Sequence, residues 1–481
     1  MTAEYSKGLP SSVTVGQLNR TVRPLQVPPV RIVHLGLGAF HRSHQVWYTH
    51  QASDASDWGI ASFTGRRPGA AMALAEQDGL YTVVERGDAG DTFTLVGSIV
   101  DAVDGADVDR LVELVAARAT AVITLTITEA AYPFGANGQF DRTAPGVESD
   151  LALLAAGSRK PATPIGRLTL ALAARRAAGA GRLALVCCDN LANNGTIAGA
   201  TLTGMAAAWD TDLARWIDAN ISFVSTSVDR ITPRTTKADL AAVEAACGYR
   251  DNSPVVTEPY SNWVLSGDFP AGRPRWEDAG ALFVNDIEPF ENRKLWLLNG
   301  AHSLLSYAGQ LRGHITVAQA LADPVCRQAV EAFWDEAEAI LPAGELQVPA
   351  YRDALLARFS NARITHHLTQ IAMDGSTKLR MRAVPVLQAE RAAGRSGAGA
   401  ALIIAAWIDY AATSGQLQDA QADAMDRANL LAGTKRIRAL IRLLDPALAA
   451  DEEAVQLVES LQGKFPRITS STHLSDLCAN P

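Results

Sequence analysis

Long apolar runs and an excess of basic residues are both missing from this chain of 481 residues. Its 43 lysines and arginines are outnumbered by 51 aspartates and glutamates, which gives a formal net charge of −8. Because a nucleic-acid interface needs a basic face to neutralise phosphates, no nucleic-acid partner is expected. No run of about 18 apolar residues occurs, so no membrane span is expected either. The segment 1–30 lacks the apolar core of a signal peptide, and a cytoplasmic protein is therefore predicted.

Cysteine is scarce as well. The five cysteines stand at positions 187, 188, 247, 326 and 478. Their odd number and unrelated spacings predict reduced thiols in a cytoplasmic protein rather than a disulfide framework. No histidine lies at a spacing to cysteines or carboxylates that suits zinc, so no metal is predicted. GxSxG and phosphate-binding loops are also missing, which argues against hydrolysis and phosphoryl transfer.

Apolar, β-branched runs alternate with helical segments in the N-terminal part of the chain. Strands are predicted over 31–35, 58–63, 93–100, 121–127 and 183–188, and helices over 41–53, 69–78 and 164–178. Such alternation requires right-handed crossovers and predicts an α/β fold with a mostly parallel, doubly wound sheet of Rossmann type. We assign residues 1–285 to this dinucleotide-binding domain.

Helical periodicity dominates after about residue 285, for example over 315–341 and 400–413. A mostly α-helical substrate and catalytic domain is therefore predicted for residues 286–481. No coiled-coil or exposed strand-edge pattern demands an oligomer, so a monomer is expected.

The sequence Gly36-Leu37-Gly38-Ala39-Phe40-His41 directly follows the first predicted strand. Two glycines here allow a tight turn and let the backbone approach a pyrophosphate closely. A tight turn of purely structural purpose is the alternative. His41 stands where the third glycine of a GxGxxG motif would permit close helix–strand packing, so that packing must differ. The position after the first strand of a βα series favours dinucleotide binding, with Gly36 and Gly38 in the site.

The second predicted strand ends in Phe63-Thr64-Gly65-Arg66-Arg67 and lacks the acidic residue that binds an adenosine ribose. Arg66 and Arg67 can instead meet a 2′-phosphate, or they are solvated loop arginines. The choice between NAD and NADP is thus open, and we expect use of NAD with appreciable NADP activity.

Four polar residues interrupt an apolar segment: Glu291, Lys294, Asn299 and His302. On an α-helix, at about 100° per residue, all four fall within one arc of about 140°. A solvent-facing stripe is the alternative, but the surrounding leucines argue against a wet surface. A lysine desolvated in a pocket has a lowered pKa and can act as a general base. An asparagine amide can donate to an alkoxide, and a histidine can orient a hydroxyl.

A second polar loop follows the predicted strand 183–188, with Asp189-Asn190 and then Asn193-Asn194-Gly195. In an open α/β sheet such strand ends face the ligand crevice. Because asparagine and glycine also favour plain turns, the two interpretations are equally supported by the pattern.

These segments together resemble the polyol-specific long-chain dehydrogenase/reductase family, which includes mannitol 2-dehydrogenases and fructuronate reductases (mannonate oxidoreductases). The resemblance extends from about residue 30 to beyond residue 440. It is carried by residues 32–45, 125–129, 188–190, 194–195, 228–230, 294–302 and 371–378. The Lys-x4-Asn-x2-His pattern from Lys294 to His302 is its most specific part.

The resemblance implies a zinc-independent enzyme that moves hydride between a nicotinamide cofactor and a small polyol or sugar acid. It implies that Lys294 is the general base, with Asn190 and Asn299 holding the alkoxide. It further implies roles for residues that the spacing alone does not assign: substrate contacts for His302, Asp229 and Lys378, a proton gate for Glu291, and cofactor contacts for Gly36, Gly38 and Phe40.

Two departures from mannitol dehydrogenases bear on specificity. Arg66 and Arg67 replace the acidic pair that favours NAD, and Gln370 stands where an arginine precedes Lys378 by eight residues. Gln370 and the sequence after it look more like fructuronate reductases. They favour a hexonate/keto-hexuronate pair of the D-mannonate/D-fructuronate type, with a hexitol/ketose pair such as D-mannitol/D-fructose as the alternative. A nucleotide-binding regulator without turnover is the other class, and the intact Lys294, Asn299 and His302 argue against it.

Overall fold

The computed structural model describes residues 15–135, 138–413 and 418–468. The chain divides into two compact units, with the boundary between Ile287 and Glu288. No helix among the described residues combines the length and the apolar character needed to cross a membrane.

The first unit combines two sheets with covering helices. Its strands are β1 Val30–Leu35, β2 Gly59–Phe63, β3 Tyr81–Gly87, β4 Gly90–Val96, β5 Ile99–Val103, β6 Val122–Leu125, β7 Leu183–Cys187, β8 Ile221–Asp229, β9 Val255–Thr257, β10 Asn262–Ser266 and β11 Leu282–Phe283. Its helices are α1 Ala39–Ser43, α2 Gln45–Gln51, α3 Gly69–Ala75, α4 Val108–Ala116, α5 Val147–Ala155, α6 Pro164–Ala177, α7 Asn194–Trp209, α8 Thr211–Asn220 and α9 Lys237–Cys247.

The large sheet has the strand order β11-β10-β8-β7-β6-β1-β2-β5, and a small sheet has the order β4-β3-β9. In the large sheet β10 runs antiparallel to β8, whereas the central strands are parallel. These central strands are apolar runs because helices cover both faces of the sheet. Successive residues of β1 point into opposite cores. Val33 lies on the side of α4 and α6, and Ile32 lies on the side of α2 and α3. The predicted doubly wound sheet is thereby confirmed.

The register aligns the carboxyl ends of the central strands. Leu35 pairs with Phe63 on one side and with Leu125 on the other. Phe63 in turn pairs with Val103, and Leu125 with Cys187. The loops after these strands therefore emerge at one edge of the sheet.

Two predicted elements of this unit are wrong in detail. The predicted strand 93–100 is two strands, because the chain leaves β4 in the small sheet and enters β5 in the large one at Gly97-Ser98. The predicted helix 41–53 is broken at His44, whose backbone is not helical (φ −117°, ψ −89°) and whose Nε2 lies 3.0 Å from the carbonyl oxygen of Asn262.

The buried thiols agree with the prediction of reduced cysteines. Cys187, Cys188 and Cys326 are buried and unpaired, and Cys247 is half-buried and unpaired. Cys478 lies outside the described residues.

The second unit is helical in its described residues, as predicted. Its elements are α10 Glu288–Arg293, a π-helix Lys294–Gly300, α11 Ala301–Arg312, α12 Val317–Ala322, α13 Pro324–Ile340, α14 Val348–Ser360, α15 Leu368–Ile371, α16 Gly375–Arg382, α17 Val384–Ala392, α18 Ala398–Thr413, α19 Ala422–Asn429, α20 Gly433–Leu444, α21 Pro446–Ala450 and α22 Glu452–Ser460. The predicted helix 315–341 is two helices, because Asp323 caps α13 by accepting from the Val325 N–H and Pro324 cannot continue α12.

Candidate active site

A cavity of about 830 Å³ opens in the first unit where β1, β2, β5 and β6 end. Its wall contains residues from the ends of these strands and from the loops that follow, among them Gly36, Thr64, Arg66, Asp104, Gly105, Thr126 and Arg167. Crevices outside the carboxyl ends of parallel strands are where doubly wound sheets bind ligands, and the volume suits a small ligand. Of the predicted cofactor residues, Gly36 and Arg66 line the cavity, whereas Gly38, Phe40 and Arg67 do not.

The turn at Gly36 requires glycine. Its φ of +118° disfavours other residues, and a Cβ there would lie 2.3 Å from the carbonyl oxygen of Thr126. The Thr126 hydroxyl donates to the Gly36 carbonyl over 2.9 Å, which fixes the turn against β6. Gly38 precedes α1 as its N-cap, and Phe40 lies within α1 with its ring 4.9 Å from that of His44.

A second glycine in the cavity wall was missed by the sequence analysis. The Gly105 N–H donates to the Thr64 hydroxyl over 2.9 Å, and a Cβ on Gly105 would lie 1.9 Å from the Thr64 carbonyl oxygen. The Arg167 side chain donates to the Gly105 carbonyl over 2.6 Å. The loops after β2 and β5 are thus held together. The dipeptide Asp104-Gly105 is a turn signal that could have identified this position.

His41 explains how a histidine replaces the third glycine of the motif. Its ring stacks on that of His34 in β1, with the ring centroids 3.3 Å apart and the planes 2° from parallel. His34 contacts the hydroxyls of Thr124 and Thr126, at 2.8 and 3.0 Å, and His41 Nε2 lies 3.0 Å from the Ser62 hydroxyl. Burial lowers the pKa of His34 to about 3 and that of His41 well below its usual value, so two flat neutral rings form the helix–strand contact.

We expect this pair to make the first unit less stable in acid. An unfolded histidine gains a proton below a pH of about 6.5, whereas the folded rings stay neutral. The contribution of the neutral rings to the free energy of unfolding is therefore fully present above that pH. It falls as the pH drops, by up to about 1.4 kcal/mol per pH unit for each buried ring. Urea unfolding of the whole chain between pH 7 and pH 4.5 measures the slope.

His34→Gln keeps the hydrogen-bonding capacity. It should reduce the slope of the free energy of unfolding against pH by the amount that corresponds to about one proton. His367→Gln, which removes an exposed ring, is the control substitution. An unchanged slope in His34→Gln would contradict a neutral buried His34.

The loop after β7 separates a structural asparagine from an exposed one. Asn194 is buried, donates to the carbonyls of Asp189 and Thr226, and accepts from the Thr226 N–H. Asn190 is exposed at the same loop. Asp229, the last residue of β8, is buried. Asn194 therefore holds the loop against β8, whereas Asn190 is exposed.

The predicted α-helix over 291–302 is wrong, because Lys294–Gly300 form a π-helix between α10 and α11. A π-helix bonds residues five apart instead of four, so residues i and i+5 lie on successive turns of one side. Lys294 and Asn299 have this separation, whereas an α-helix would turn them roughly 140° apart. Glu291 precedes them in α10 and His302 follows in α11. Such segments occur often at functional sites.

Two side chains satisfy carbonyl groups of the π-helix. Trp334 Nε1 donates to the Leu297 carbonyl over 2.8 Å, and Arg382 Nη1 donates to the Asn299 carbonyl over 3.2 Å. Arg382 Nη1 also donates to the Ser303 hydroxyl over 3.0 Å. Gly300 faces Phe333 so closely that a Cβ would lie 2.4 Å from the ring. None of these supports is predictable from the sequence, since an arginine and a tryptophan on other helices carry no local signal.

His302 is buried and neutral. Its ring packs on Phe359 and on the edge of His366, with centroids 4.7 and 5.0 Å away. Burial, and then the charges of His366, Arg358 and Arg382, hold its pKa well below the usual value. Within the described residues its Nε2 has no hydrogen-bond partner.

Lys378 in α16 donates from Nζ to the Ile371 carbonyl over 3.1 Å, and burial lowers its pKa. Lys294, Asn299 and His302 thus come from consecutive helical segments, and Lys378 belongs to the same helix as Arg382. In the part of the chain that the structure describes, no three histidine, cysteine, aspartate or glutamate side chains gather so as to hold a metal ion.

We expect Trp334→Phe to loosen the π-helix. The substitution leaves the Leu297 carbonyl buried without its donor, which costs about 1–3 kcal/mol. Amide hydrogens of residues 297–303 should then exchange faster by roughly tenfold or more, measured by hydrogen-exchange mass spectrometry. Trp296→Phe is the matched control, because Trp296 donates to the Met381 carbonyl at an exposed position. Equal effects of the two substitutions would contradict a special role for Trp334.

Comparisons with known proteins cover both units. Residues 30–278 match the family model described as the mannitol dehydrogenase Rossmann domain, and residues 286–463 match that of the mannitol dehydrogenase C-terminal domain. D-mannonate oxidoreductase of Escherichia coli (strain K12) is 38% identical over 424 residues, 85% of each chain. Mannitol 2-dehydrogenase of Cereibacter sphaeroides is 35% identical over 389 residues, 79% of this chain and 80% of that one.

Two solved structures are similar over nearly the whole chain. The ternary complex of Pseudomonas fluorescens mannitol 2-dehydrogenase with NAD and D-mannitol has a TM-score of 0.74 at 32% identity and covers 94% of each chain. A substrate-free D-sorbitol dehydrogenase has a TM-score of 0.83 at 28% identity and covers 93% of this chain and 97% of that one.

Proposed function

We propose that this chain, which belongs to the mannitol dehydrogenase family of oxidoreductases acting on CH–OH groups, interconverts a hexonate and a keto-hexuronate by hydride transfer at the carbon that is C2 of the keto-hexuronate, without zinc, using NAD. The observation that carries this proposal is the π-helix that aligns Lys294 with Asn299 and is followed by the neutral, buried His302. The sequence-based resemblance to polyol-specific dehydrogenases is confirmed by the family match.

In this proposal the cavity of the first unit, with its volume of about 830 Å³, holds the adenosine half of NAD. Gly36 keeps the backbone open at the wall, and the Thr64–Gly105 contact closes the side between β2 and β5. Gly38 and Phe40 would extend the site along α1. Bound NAD supplies the hydride acceptor or donor. That a similar solved enzyme contains NAD supports this choice.

Lys294 acts in the proposal as the base that takes the proton from the substrate hydroxyl during oxidation and returns it during reduction. The amides of Asn190 and Asn299 donate hydrogen bonds to the oxygen on which negative charge develops, which stabilises the transition state. Glu291, three residues before Lys294, exchanges the proton with solvent. Neutral His302 can donate to or accept from a substrate hydroxyl.

Asp229 and Lys378 complete the proposed substrate contacts. The sugar-acid assignment is supported by Gln370 and by the identity to D-mannonate oxidoreductase. The alternative substrate pair, a hexitol and its ketose, is supported by the similar identity to mannitol 2-dehydrogenases.

A spectrophotometric assay at the nicotinamide absorbance separates the two. D-mannonate, D-altronate, D-mannitol, D-arabinitol and D-sorbitol are each offered with NAD⁺ and with NADP⁺. The proposal predicts the highest kcat/KM with a hexonate. A hexitol as the best substrate would replace it by the alternative, and no turnover of any compound would contradict both.

Lys294→Ala should lower kcat by about 10²–10⁴-fold, because a positioned general base contributes that much. Binding of NADH, followed by fluorescence, should stay nearly unchanged. Lys435→Ala, at an exposed position of α20, serves as the control. A loss below about tenfold in a folded variant would remove Lys294 from the role of base.

Arg66→Ala should reduce kcat/KM with NADP while activity with NAD is retained. One exposed arginine–phosphate contact is worth about 1 kcal/mol, so a loss somewhat below tenfold is expected. Arg67→Ala is the matched control, because Arg67 does not line the cavity. A preference for NAD above about a thousandfold, unaltered in Arg66→Ala, would show that Arg66 does not meet the ribose.

A further inference from the structure

Arg382 in α16 has an unused hydrogen-bonding edge. Its Nη1 makes both hydrogen bonds of the side chain, to the Asn299 carbonyl and the Ser303 hydroxyl. Nε is shielded from solvent and has no hydrogen-bond partner among the described residues, and Nη2 donates no hydrogen bond to any of them. Nε and Nη2 form the edge with which a guanidinium binds a carboxylate through two parallel hydrogen bonds.

The charge of Arg382 also has no counterion among the described residues. Within the described residues no carboxylate forms an ion pair with it, and burial lowers its pKa to about 10. Leaving a charged donor desolvated and unpaired costs free energy, and proteins normally avoid this arrangement.

Lys378 adds a second positive charge on the same side of α16. It stands four residues before Arg382, a spacing at which like charges repel on a helix. Burial and then Arg382 lower the pKa of Lys378, while Asp374 and Asp419 oppose this from a distance. Asp419 is itself bound by the Ser376 N–H over 2.8 Å. Helix α16 therefore carries two cations on one side, of which Arg382 contacts Asn299, and an anion would relieve their repulsion.

We propose that the Nε–Nη2 edge of Arg382, supported by Lys378, binds the carboxylate of the sugar-acid substrate. This assignment rests on the proposed function and deepens it, because it gives a hexonate or keto-hexuronate a recognition site that a hexitol or ketose cannot use. Arg382 thereby discriminates substrates while its Nη1 supports the π-helix at Asn299.

Pairs of compounds that differ at one terminal carbon test this assignment. D-fructuronate and D-fructose differ in carrying a carboxylate or a CH₂OH group, as do D-mannonate and D-mannitol. The measurement is the ratio of kcat/KM values within each pair, for the wild type, Arg382→Met and Arg382→Lys. Arg380→Met is the matched control, since Arg380 is exposed on the same helix and donates to the Leu443 carbonyl.

Arg382→Met should lower the acid-to-neutral ratio by about ten- to a hundredfold, mainly through KM for the acid. Arg382→Lys keeps the charge without the planar edge, so its acid-to-neutral ratio should lie between those of the wild type and Arg382→Met. Arg380→Met should leave the ratio unchanged. Equal losses for both members of a pair would overturn the assignment and leave Arg382 only its support of Asn299.

Failure of the proposed function is visible separately, in the wild type itself. If the wild type turns over neither pair, binding of D-mannonate and D-mannitol to the NAD-loaded protein is compared by calorimetry. Binding of D-mannonate that is lost in Arg382→Met but kept in Arg380→Met would support the carboxylate site. Absence of D-mannonate binding to the wild type would overturn it. If Arg382→Met does not fold, the same comparisons with Arg382→Lys decide.

Discussion

Buried backbone groups that lie outside regular hydrogen-bond ladders need partners, and this requirement shapes the candidate site in both units. At the π-helix, Trp334 and Arg382 supply donors for the carbonyls of Leu297 and Asn299. In the first unit, Thr126 donates to Gly36, and Arg167 donates to Gly105. In each case a side chain from another element fixes an irregular stretch of backbone. The residues proposed to carry the chemistry thus lie on segments whose geometry depends on distant residues.

The first unit meets a second constraint, the close approach of strand ends. Gly36 and Gly105 are placed where a Cβ would collide with carbonyl oxygens of Thr126 and Thr64. Elsewhere in such turns a third glycine brings helix and strand together. Here two neutral aromatic rings, His34 and His41, do so at a stacking distance. The helix and the strand that flank the turn therefore pack through flat, uncharged rings, without a third glycine.

The fold was predictable from local signals, and much of the site was not. Apolar strand runs and the Gly36 turn can be recognised within a few residues, and they predict the doubly wound sheet. Helical periodicity after about residue 285 predicts the helical second unit. The π-helix has no such signature, because residues 291–302 read equally well as an apolar α-helix. The stack of His41 on His34 joins a helix to a strand, and no spacing rule shows it. Arg382, near Lys378 and Arg380, reads as part of a solvated helix, although its Nε is shielded.

A π-helix can be regarded as an α-helix that holds one residue more than the turn requires. The extra residue changes the angular position, around the helix axis, of every residue that follows in α11. Residues Ala301 to Gly309 of α11 are all buried. Deleting one residue from the π-helix would rotate α11 by about 100° relative to α10. Gln310 would then stand near the place of Gly309, where even a Cβ would lie 2.7 Å from Leu368. A deletion between Lys294 and Gly300 would consequently displace the buried side of α11, an effect that a substitution of one apolar residue for another does not have.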